Sequence, residues 1–440
     1  MRAELQYDLV ALYRMINGIQ EYAWGSRQEI PRLTGIPNPE DKPMAELWMG
    51  DHPGRPSRVV SEGKEIELGE FISRHPTNAL GPQVQARFGI RLPFLFKLLS
   101  AEKGLSIQVH PSRSQAEEGY RRENDNGIPR DAPYRNYKDR NHKPEVLHAV
   151  TPFWALSGFR EPERIAADFR RIDGGRALAE HLDDRNLEGF YRALMSTQDP
   201  RLLSSALAVA REEVRGAPAP LEETGPQAAA HRLAAPGDFG EPKTATGPEL
   251  SAEAMNRFFW VLELNRQFPK DLGALAPLYL NCIHLAPGEA LFLESGLLHA
   301  YLRGTGIELM ANSDNVLRGG CTVKHVDVPE LLRIVRFEPT EDPRFSGDVE
   351  TFPGGRVTLF DPPVEEFRLI RLELSEEYTF EKGPGPAILF VLEGKVSCLE
   401  ELSGDAGITV ESAPGESLFI PASVERLTIR GPGRAFIATT

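Results

Sequence analysis

Cysteine is scarce in this sequence, which has only three cysteines, Cys282, Cys321 and Cys398, among its 440 residues. They lie far apart, and none belongs to a Cys-x-x-Cys pair. The sequence therefore predicts neither a disulfide framework nor a thiolate zinc site. Free thiols are typical of proteins that work in a reducing compartment.

Long apolar runs and an excess of positive charge are also missing. No run approaches the length of about 20 residues that a membrane-spanning helix needs, and the first residues lack a signal-peptide pattern. Lys and Arg number 50 against 64 Asp and Glu, which gives a formal net charge of −14. We therefore expect a cytoplasmic protein with neither a membrane nor a nucleic-acid partner. An anionic substrate is still compatible, because a few well-placed Arg and Lys side chains can hold a phosphate.

The composition is that of a globular protein, with 41% hydrophobic and 26% charged residues, and the length predicts two to four domains. Strand-like patterns fill 14–159 and return at 266–335, whereas 160–265 shows helical spacing. We predict that the first two stretches form one β domain, that 160–265 is a helical insertion, and that 336–440 is a second β domain.

Within the helical insertion, the spacing of apolar residues predicts four helices, at 162–170, 187–196, 206–215 and 256–264. The stretch 216–250 between them is rich in Ala, Pro, Gly and Glu and poor in aromatic residues. That composition is typical of a flexible segment.

The stretch from Leu105 to Pro111 alternates as a strand does, so that Ser106, Gln108 and His110 share one face. The other face is apolar and is predicted to meet a core. An amide and an imidazole side by side could bind a metal, since His is the commonest metal ligand. A single polar strand face is more often solvated, so the metal interpretation depends on partners from elsewhere in the chain.

Two further strands carry charged residues that could face the same cavity. The apolar run 92–100 predicts a buried strand with Lys97 at its centre, and a buried lysine is costly unless it is paired or opens into a polar cavity. In a strand over 142–149, Lys143 and Glu145 share one face and His148 takes the other; a surface ion pair is the simpler interpretation. His52, in a loop rich in Pro and Gly, is predicted to be solvated.

A Pro-Gly-Glu turn at 287–289 precedes an aliphatic strand, and Gly296 and His299 come after it. This order is typical of a cupin-like jelly roll, in which the histidine enters the barrel cavity. A second Pro-Gly-Glu turn at 414–416 leads to a similar strand that ends in Pro421-Ala422, with no histidine nearby. We therefore predict a mainly β protein with a cupin-type jelly-roll catalytic domain, an inserted α-helical domain and a second, ligand-free C-terminal jelly roll.

Charged residues are dense after His299, where Glu308, Asp314, Arg318 and Lys324 are interleaved with glycine and apolar residues. A solvated loop is one interpretation, and a lined cavity is the one that the neighbouring Met, Val and Leu residues favour. Four side chains could then form a metal site of two nitrogens and two oxygens: Gln108, His110, Glu145 and His299. That set suits Zn²⁺ and would also admit Mn, Fe or Co.

At these residues the chain resembles the type I phosphomannose isomerases. The resemblance covers most of the sequence, and its separated motifs occur in the family's order. They are Gln20-Glu21-Tyr22-Ala23-Trp24-Gly25, Ala45-Glu46-Leu47-Trp48-Met49-Gly50, the run 92–111, His142-Lys143-Pro144-Glu145, His299-Ala300-Tyr301 and Asp314-Asn315-Val316-Leu317-Arg318-Gly319-Gly320. The family consists of zinc enzymes that interconvert mannose 6-phosphate and fructose 6-phosphate, which feeds mannose and GDP-mannose metabolism.

The resemblance implies one Zn²⁺ per chain, a phosphorylated hexose as substrate and the ligands Gln108, His110, Glu145 and His299. It also implies further active-site residues. The expected oligomeric state is a monomer. The implied catalytic residues are Arg318, Lys143, Glu308 and Asp314, and the implied substrate-binding residues are Lys97 and Lys324. The chain departs from the family in the length of 216–250, and in Cys321-Thr322-Val323-Lys324-His325, where Thr-Pro-Lys is common.

Aldose–ketose isomerisation moves a proton between C1 and C2 through an enediol(ate), so it needs a base, carbonyl polarisation and a phosphate clamp. Arg318 is always charged and is expected to stabilise a negative oxygen. Glu308 and Asp314 are both candidate bases, and Lys143 could assist ring opening. Two other functions are compatible with the ligand set: an Fe²⁺-dependent cupin oxygenase, and a sugar-binding protein without catalysis.

Overall fold

The computed structural model describes residues 12–215, 257–400 and 408–440. Within these ranges the strands form three antiparallel sheets, and helices flank them. The segment 216–250, which we predict to be flexible, lies outside the described residues. No helix in the described part of the chain is long and apolar enough to cross a membrane.

The largest sheet has ten strands and carries the candidate site. Its strands are β2 (Gly18–Gln20), β3 (Glu46–Met49), β6 (Phe94–Ala101), β7 (Ile107–Val109), β8 (Glu145–Ala149), β9 (Phe153–Phe159), β10 (Leu280–Leu285), β11 (Ala290–Leu293), β12 (His299–Ala311) and β13 (Leu317–Gly320). The long strand β12 pairs with β6, β7, β8 and β9. Residues from distant parts of the chain therefore meet along one strand.

The second sheet has nine strands and contains most of the C-terminal segment. Its strands are β1 (Tyr13–Ile16), β4 (Arg58–Ser61), β5 (Lys64–Glu67), β14 (Asp348–Phe352), β15 (Gly355–Phe360), β16 (Arg368–Leu374), β18 (Ala387–Gly394), β21 (Ser417–Ile420) and β23 (Gly433–Thr439). Strand β1 pairs with β21, so the N-terminal strands β1, β4 and β5 extend a sheet whose other strands all lie in 336–440. Tyr13 and Met15 of β1 are buried, and this burial favours the pairing.

The third sheet has four strands and lies within the C-terminal part of the chain. It is formed by β17 (Glu377–Glu381), β22 (Arg426–Arg430), β19 (Val396–Glu400) and β20 (Ile408–Ser412). Together with the nine-stranded sheet it encloses an apolar core that includes Leu389, Cys398 and Ile437. The mainly β architecture with accompanying helices confirms the predicted fold class.

The described helices are α1 (Glu29–Thr34), α2 (Leu68–Arg74), α3 (Pro76–Phe88), α4 (Arg113–Asp125), α5 (Pro162–Phe169), α6 (Arg176–Asp183), α7 (Leu187–Ser196), α8 (Pro200–Glu213), α9 (Arg257–Gln267), α10 (Ala276–Tyr279) and α11 (Val328–Ile334). A 3₁₀ turn at Leu272–Leu275 precedes α10. Helix α7 has the predicted bounds, α8 begins at Pro200 rather than at 206, and α6 was not predicted. Each of α5 to α7 buries one apolar side, as amphipathic helices do.

Candidate metal centre and active site

Three predicted metal ligands converge in the ten-stranded sheet. His110 directly follows β7, Glu145 begins β8 and His299 begins β12. Each of the three offers one ligand atom, and these atoms lie within 4.8 Å of one another. The Nε2 atoms of His110 and His299 lie 3.5 Å and 3.6 Å from the carboxylate oxygens of Glu145. All three side chains are at most 1% exposed.

The hydrogen bonds of the two histidines leave one nitrogen of each ring available. Nδ1 of His110 lies 2.8 Å from the carbonyl oxygen of Asn315, and Nδ1 of His299 lies 2.8 Å from that of Leu297. A carbonyl only accepts, so Nδ1 is the protonated nitrogen in both rings. Nε2 of His110, Nε2 of His299 and Oε2 of Glu145 are buried and have no hydrogen-bond partner in the part of the chain that the structure describes. Unsatisfied buried acceptors are costly, and a bound cation would satisfy all three.

The ionisation states of the three groups also suit a metal. Burial, and then the charge of Lys143, lowers the pKa of His110. Burial, and then His110, lowers the pKa of His299 to about 4. Burial alone would raise the pKa of Glu145, but Lys143 and His110 outweigh it and hold that pKa well below its usual range. Two neutral imidazoles and one carboxylate are the forms that bind a metal ion. These residues fit a metal such as Zn²⁺.

The fourth predicted ligand, Gln108, lies beside this group. It occupies the centre of β7, half-buried, where it is paired with His299 on β12 and with Arg318 on β13. Cross-strand partners lie about 5 Å apart, so Gln108 neighbours both a ligand and the predicted catalytic arginine. Its role as a ligand stays a prediction.

Lys143 belongs to the same cluster as the predicted ligands. The residue is buried, and its Nζ donates a hydrogen bond to Oε1 of Glu145. As the sequence predicts, both side chains lie on one side of the chain, while His148 points the other way and packs against Phe360 and Phe436. The interpretation of Lys143 and Glu145 as a surface ion pair is wrong, because the pair is enclosed.

Lys97 is part of a second buried cluster, in which both of its partners are carboxylates. Its Nζ donates to Oε2 of Glu308 at 2.7 Å and lies 3.5 Å from Oε1 of Glu46. Tyr301 donates to the other oxygen of Glu308 at 2.9 Å, and Trp48 Nε1 donates to Glu46 at 2.7 Å. The sequence identified Lys97 and Glu308 as site residues but missed the other three, whose places depend on the cross-strand register.

The electrostatics of this cluster keep Lys97 charged. Burial would lower its pKa, but Glu308 and Glu46 outweigh burial and raise it. Burial raises the pKa of Glu308, against the opposing effect of Lys97. Since both carboxylates flank Lys97, its charge is compensated within the protein.

Asp314 forms a pair that the sequence did not predict. Its Oδ1 lies 3.2 Å from Nε2 of His52. The prediction of a solvated His52 is wrong: the residue is 5% exposed, and its ring contacts Trp48 edge-on with centroids 4.9 Å apart. Burial would raise the pKa of Asp314, but the hydrogen bond and charge of His52 lower it. The loop histidine is therefore a buried partner of Asp314 rather than a solvent-facing residue.

Arg318 and Lys324 are cations without a carboxylate partner. Neither forms an ion pair within the described ranges, and Arg318 is half-buried whereas Lys324 is exposed. Burial lowers the pKa of Arg318. Partial desolvation of its ammonium group by neighbouring residues, and then the charges of Arg318 and Lys138, lower the pKa of Lys324. Cations that repel one another without a carboxylate between them are suited to bind an anion.

The fold and these residues define a class: a cupin-type protein with a buried His–Glu–His metal centre and a group of cations beside it. Residues 12–162 match the family model for the catalytic domain of type I phosphomannose isomerase. The mannose-6-phosphate isomerase of Salmonella typhimurium is 37% identical over 96% of this chain and 98% of its own length. The human mannose-6-phosphate isomerase is 33% identical over 86% of each chain. The chain belongs to the type I phosphomannose isomerase family.

Solved structures give the same result. A zinc-bound mannose 6-phosphate isomerase is 35% identical and matches with a TM-score of 0.80 over 98% of this chain and 99% of that one. A variant of the Salmonella typhimurium phosphomannose isomerase matches with a TM-score of 0.81 at 35% identity over the same shares. The predicted family is therefore confirmed.

Proposed function

We propose that this chain is a zinc-dependent mannose-6-phosphate isomerase that interconverts mannose 6-phosphate and fructose 6-phosphate through an enediol(ate). The observation that carries the proposal is the set of three buried ligand atoms on His110, Glu145 and His299, which have no hydrogen-bond partner among the described residues. When bound, zinc would supply Lewis-acid polarisation of substrate oxygens. Gln108 would complete the ligand set.

The cations of the site would hold the phosphate of the substrate. Arg318 and Lys324 lack a carboxylate partner among the described residues, whereas Lys97 is already compensated by Glu308 and Glu46. We therefore assign phosphate binding to Lys324, with Arg318 between the phosphate and the reacting carbons. Arg318 would stabilise the negative oxygen that develops during proton transfer. Lys97 would act indirectly, by fixing the position of Glu308.

Two carboxylates are candidates for the base that moves the proton between C1 and C2. Burial raises the pKa of Glu308 towards the range in which a carboxylate is an effective base. Asp314 is more accessible, with 43% of its side chain exposed. Lys143, beside Glu145, would assist ring opening.

The domain organisation and the cellular setting are proposed as well. We propose a catalytic domain formed by 14–159 and 266–335, a helical insertion at 160–265 and a C-terminal domain at 336–440. The three cysteines are free, which supports action in the reducing cytoplasm. A monomer that feeds mannose and GDP-mannose metabolism would fit this activity.

A coupled assay tests the proposed function. Mannose 6-phosphate and unphosphorylated mannose are each supplied to the protein with and without a chelator, and zinc is then added back. We expect turnover of the phosphorylated sugar that the chelator abolishes and zinc restores. Oxygen uptake with Fe²⁺ would support an oxygenase instead, and sugar binding without turnover would support a binding protein.

A further inference from the structure

The connection between β12 and β13 contains a fully buried residue with an amide side chain, Asn315, which is 0% exposed. We propose that Asn315 is a positioning residue for the metal centre, because it ties the ligand His110 to the loop 138–141 that leads to Lys143 and Glu145. The proposal rests on the proposed zinc site and concerns residues around it.

The main chain of Asn315 orients His110. Its carbonyl oxygen accepts the hydrogen bond from Nδ1 of His110 at 2.8 Å, which directs Nε2 towards Glu145 and His299. The backbone N–H of Asn315 donates to Oγ of Ser313 at 3.2 Å. Partners of this kind fix the tautomer and the orientation of a metal-binding histidine. A shift of this segment would therefore misdirect a ligand.

Both the oxygen and the nitrogen of the Asn315 side-chain amide form hydrogen bonds with the loop 138–141. Oδ1 accepts from the backbone N–H of Lys138 at 2.7 Å and from that of Asp139 at 3.2 Å. Nδ2 donates to the carbonyl oxygens of Asp139 at 2.9 Å and of Asn141 at 2.8 Å. An amide can make all four of these bonds. A carboxylate cannot make the two bonds in which Nδ2 is the donor, because it has no N–H group.

The loop held in this way continues directly into the metal centre. After Asn141 the chain reaches Lys143, which donates to Glu145, and then Glu145 itself at the start of β8. Two of the three ligands are thus connected to Asn315, one through its carbonyl and one through the loop. Loss of the Asn315 side chain should therefore weaken the positioning of both ligands, His110 and Glu145, at once.

Two substitutions test the proposal, with a matched control in the same connection. Asn315→Asp keeps the size and the acceptor oxygen of the side chain but loses its N–H donors. Asn315→Ala loses the acceptor and the donors. Asn312→Ala is the control, because that amide donates instead to the side chain of Asp51 at 3.3 Å and the carbonyl of Leu92 at 3.2 Å. We expect zinc affinity to fall about 10–100-fold in the Asn315 variants and to stay near the wild-type value in the control.

Zinc affinity is measured by competition with a chromophoric chelator, beside the melting temperature of each metal-free protein. An Asn315→Asp protein that binds zinc as tightly as Asn312→Ala overturns the proposal. A wild-type protein that takes up no zinc overturns the proposed function itself, so the two failures are distinguishable.

A measurement on the wild-type protein covers the case in which the variants do not fold. Hydrogen exchange of the Lys138 and Asp139 amides is followed with and without zinc. Because coupling is reciprocal, zinc should slow the exchange of these amides more than that of amides in the nine-stranded sheet. Equal exchange with and without zinc would overturn the proposal.

Discussion

The two Pro-Gly-Glu turns of this protein have the same structure and different consequences. At 287–289, the backbone N–H of Ala286 donates to the side chain of Glu289 at 2.7 Å, and the N–H of Glu289 donates back to the carbonyl of Ala286 at 3.0 Å. At 414–416, Ala413 and Glu416 form the same two bonds at 2.8 Å and 3.0 Å. A four-residue strand comes after each turn, β11 or β21. Each turn therefore fixes where the following strand begins, and the residues after that strand determine what the chain contacts next.

The residues after each strand make the difference. Beyond β11 the chain turns at Gly296 and delivers His299 to the metal centre. Beyond β21 it runs into Ala422 and Ser423, whose N–H groups donate to the carbonyls of Ala79 and Asn78 in α3. One strand leads to a predicted metal ligand, and the other leads to a contact with a helix.

The C-terminal region still reaches the site through one buried side chain. Glu366 is 2% exposed and accepts hydrogen bonds from His142 at 2.8 Å and from Arg113. His142 lies just before Glu145 in the chain, and Arg113 lies just after His110. The C-terminal region thus supports both flanks of the candidate metal centre.

Removal of the ligand beyond the first turn should have the largest effect. We expect His299→Ala to lose both zinc and isomerase activity, because it removes one of the two imidazole ligands and leaves only His110, Glu145 and the weaker proposed ligand Gln108. Ser423→Ala, beyond the second turn, should keep both. Metal analysis and activity of each protein check this prediction. Full zinc in an inactive His299→Ala protein would contradict the ligand role and leave a catalytic one.

Replacement of the half-buried cation should have the next largest effect. We expect Arg318→Lys to keep the fold and the zinc but to lose roughly 10²-fold in kcat, because a lysine cannot reproduce the planar fork of donors. Steady-state kinetics and metal analysis check it. Near-normal kinetics would remove Arg318 from the mechanism.

A smaller effect is expected at the exposed cation. Lys324→Ala should raise KM for mannose 6-phosphate by roughly tenfold with little change in kcat, because an exposed charge contributes mainly to binding and is screened by salt. Kinetics at two ionic strengths check it. A fall in kcat with unchanged KM would place Lys324 in the chemistry instead.

The smallest effect on the site is expected from the apolar core of the C-terminal region. Leu389 is fully buried there, so Leu389→Ala should cost about 2–5 kcal/mol of unfolding free energy. Zinc content and kcat should stay unchanged in the folded protein. Chemical denaturation measures the unfolding free energy. Zinc loss at temperatures where the variant is folded would show that the C-terminal core and the metal centre are more tightly coupled than we expect.

The sequence predicts the elements of this protein better than it predicts their partners. Alternation identified β7, which leads to His110, and helical spacing identified α7 with its bounds. The pairing of β1 with β21 joins Tyr13 to Phe419, and no local pattern reports a contact between such distant residues. Helix α6 follows two glycines, Gly174 and Gly175, and was not predicted, although it is as long as α5.

The same contrast applies to the site. Lys97 was visible as a charge in an apolar run, but its partner Glu46 depends on the pairing of β3 with β6. His52 looked solvated because a loop sequence does not reveal that Asp314 and Trp48 enclose it. Residue type and alternation are local properties, whereas burial and partners depend on the assembled sheet.

Zinc titration of the metal-free protein tests the central claim most directly. Zinc is removed with a chelator and added back stepwise while mannose 6-phosphate turnover is recorded. We predict that activity rises in proportion to zinc and reaches its plateau at one zinc per chain, held by His110, Glu145 and His299. Full turnover in the metal-free protein, or a plateau without bound zinc, would contradict this claim.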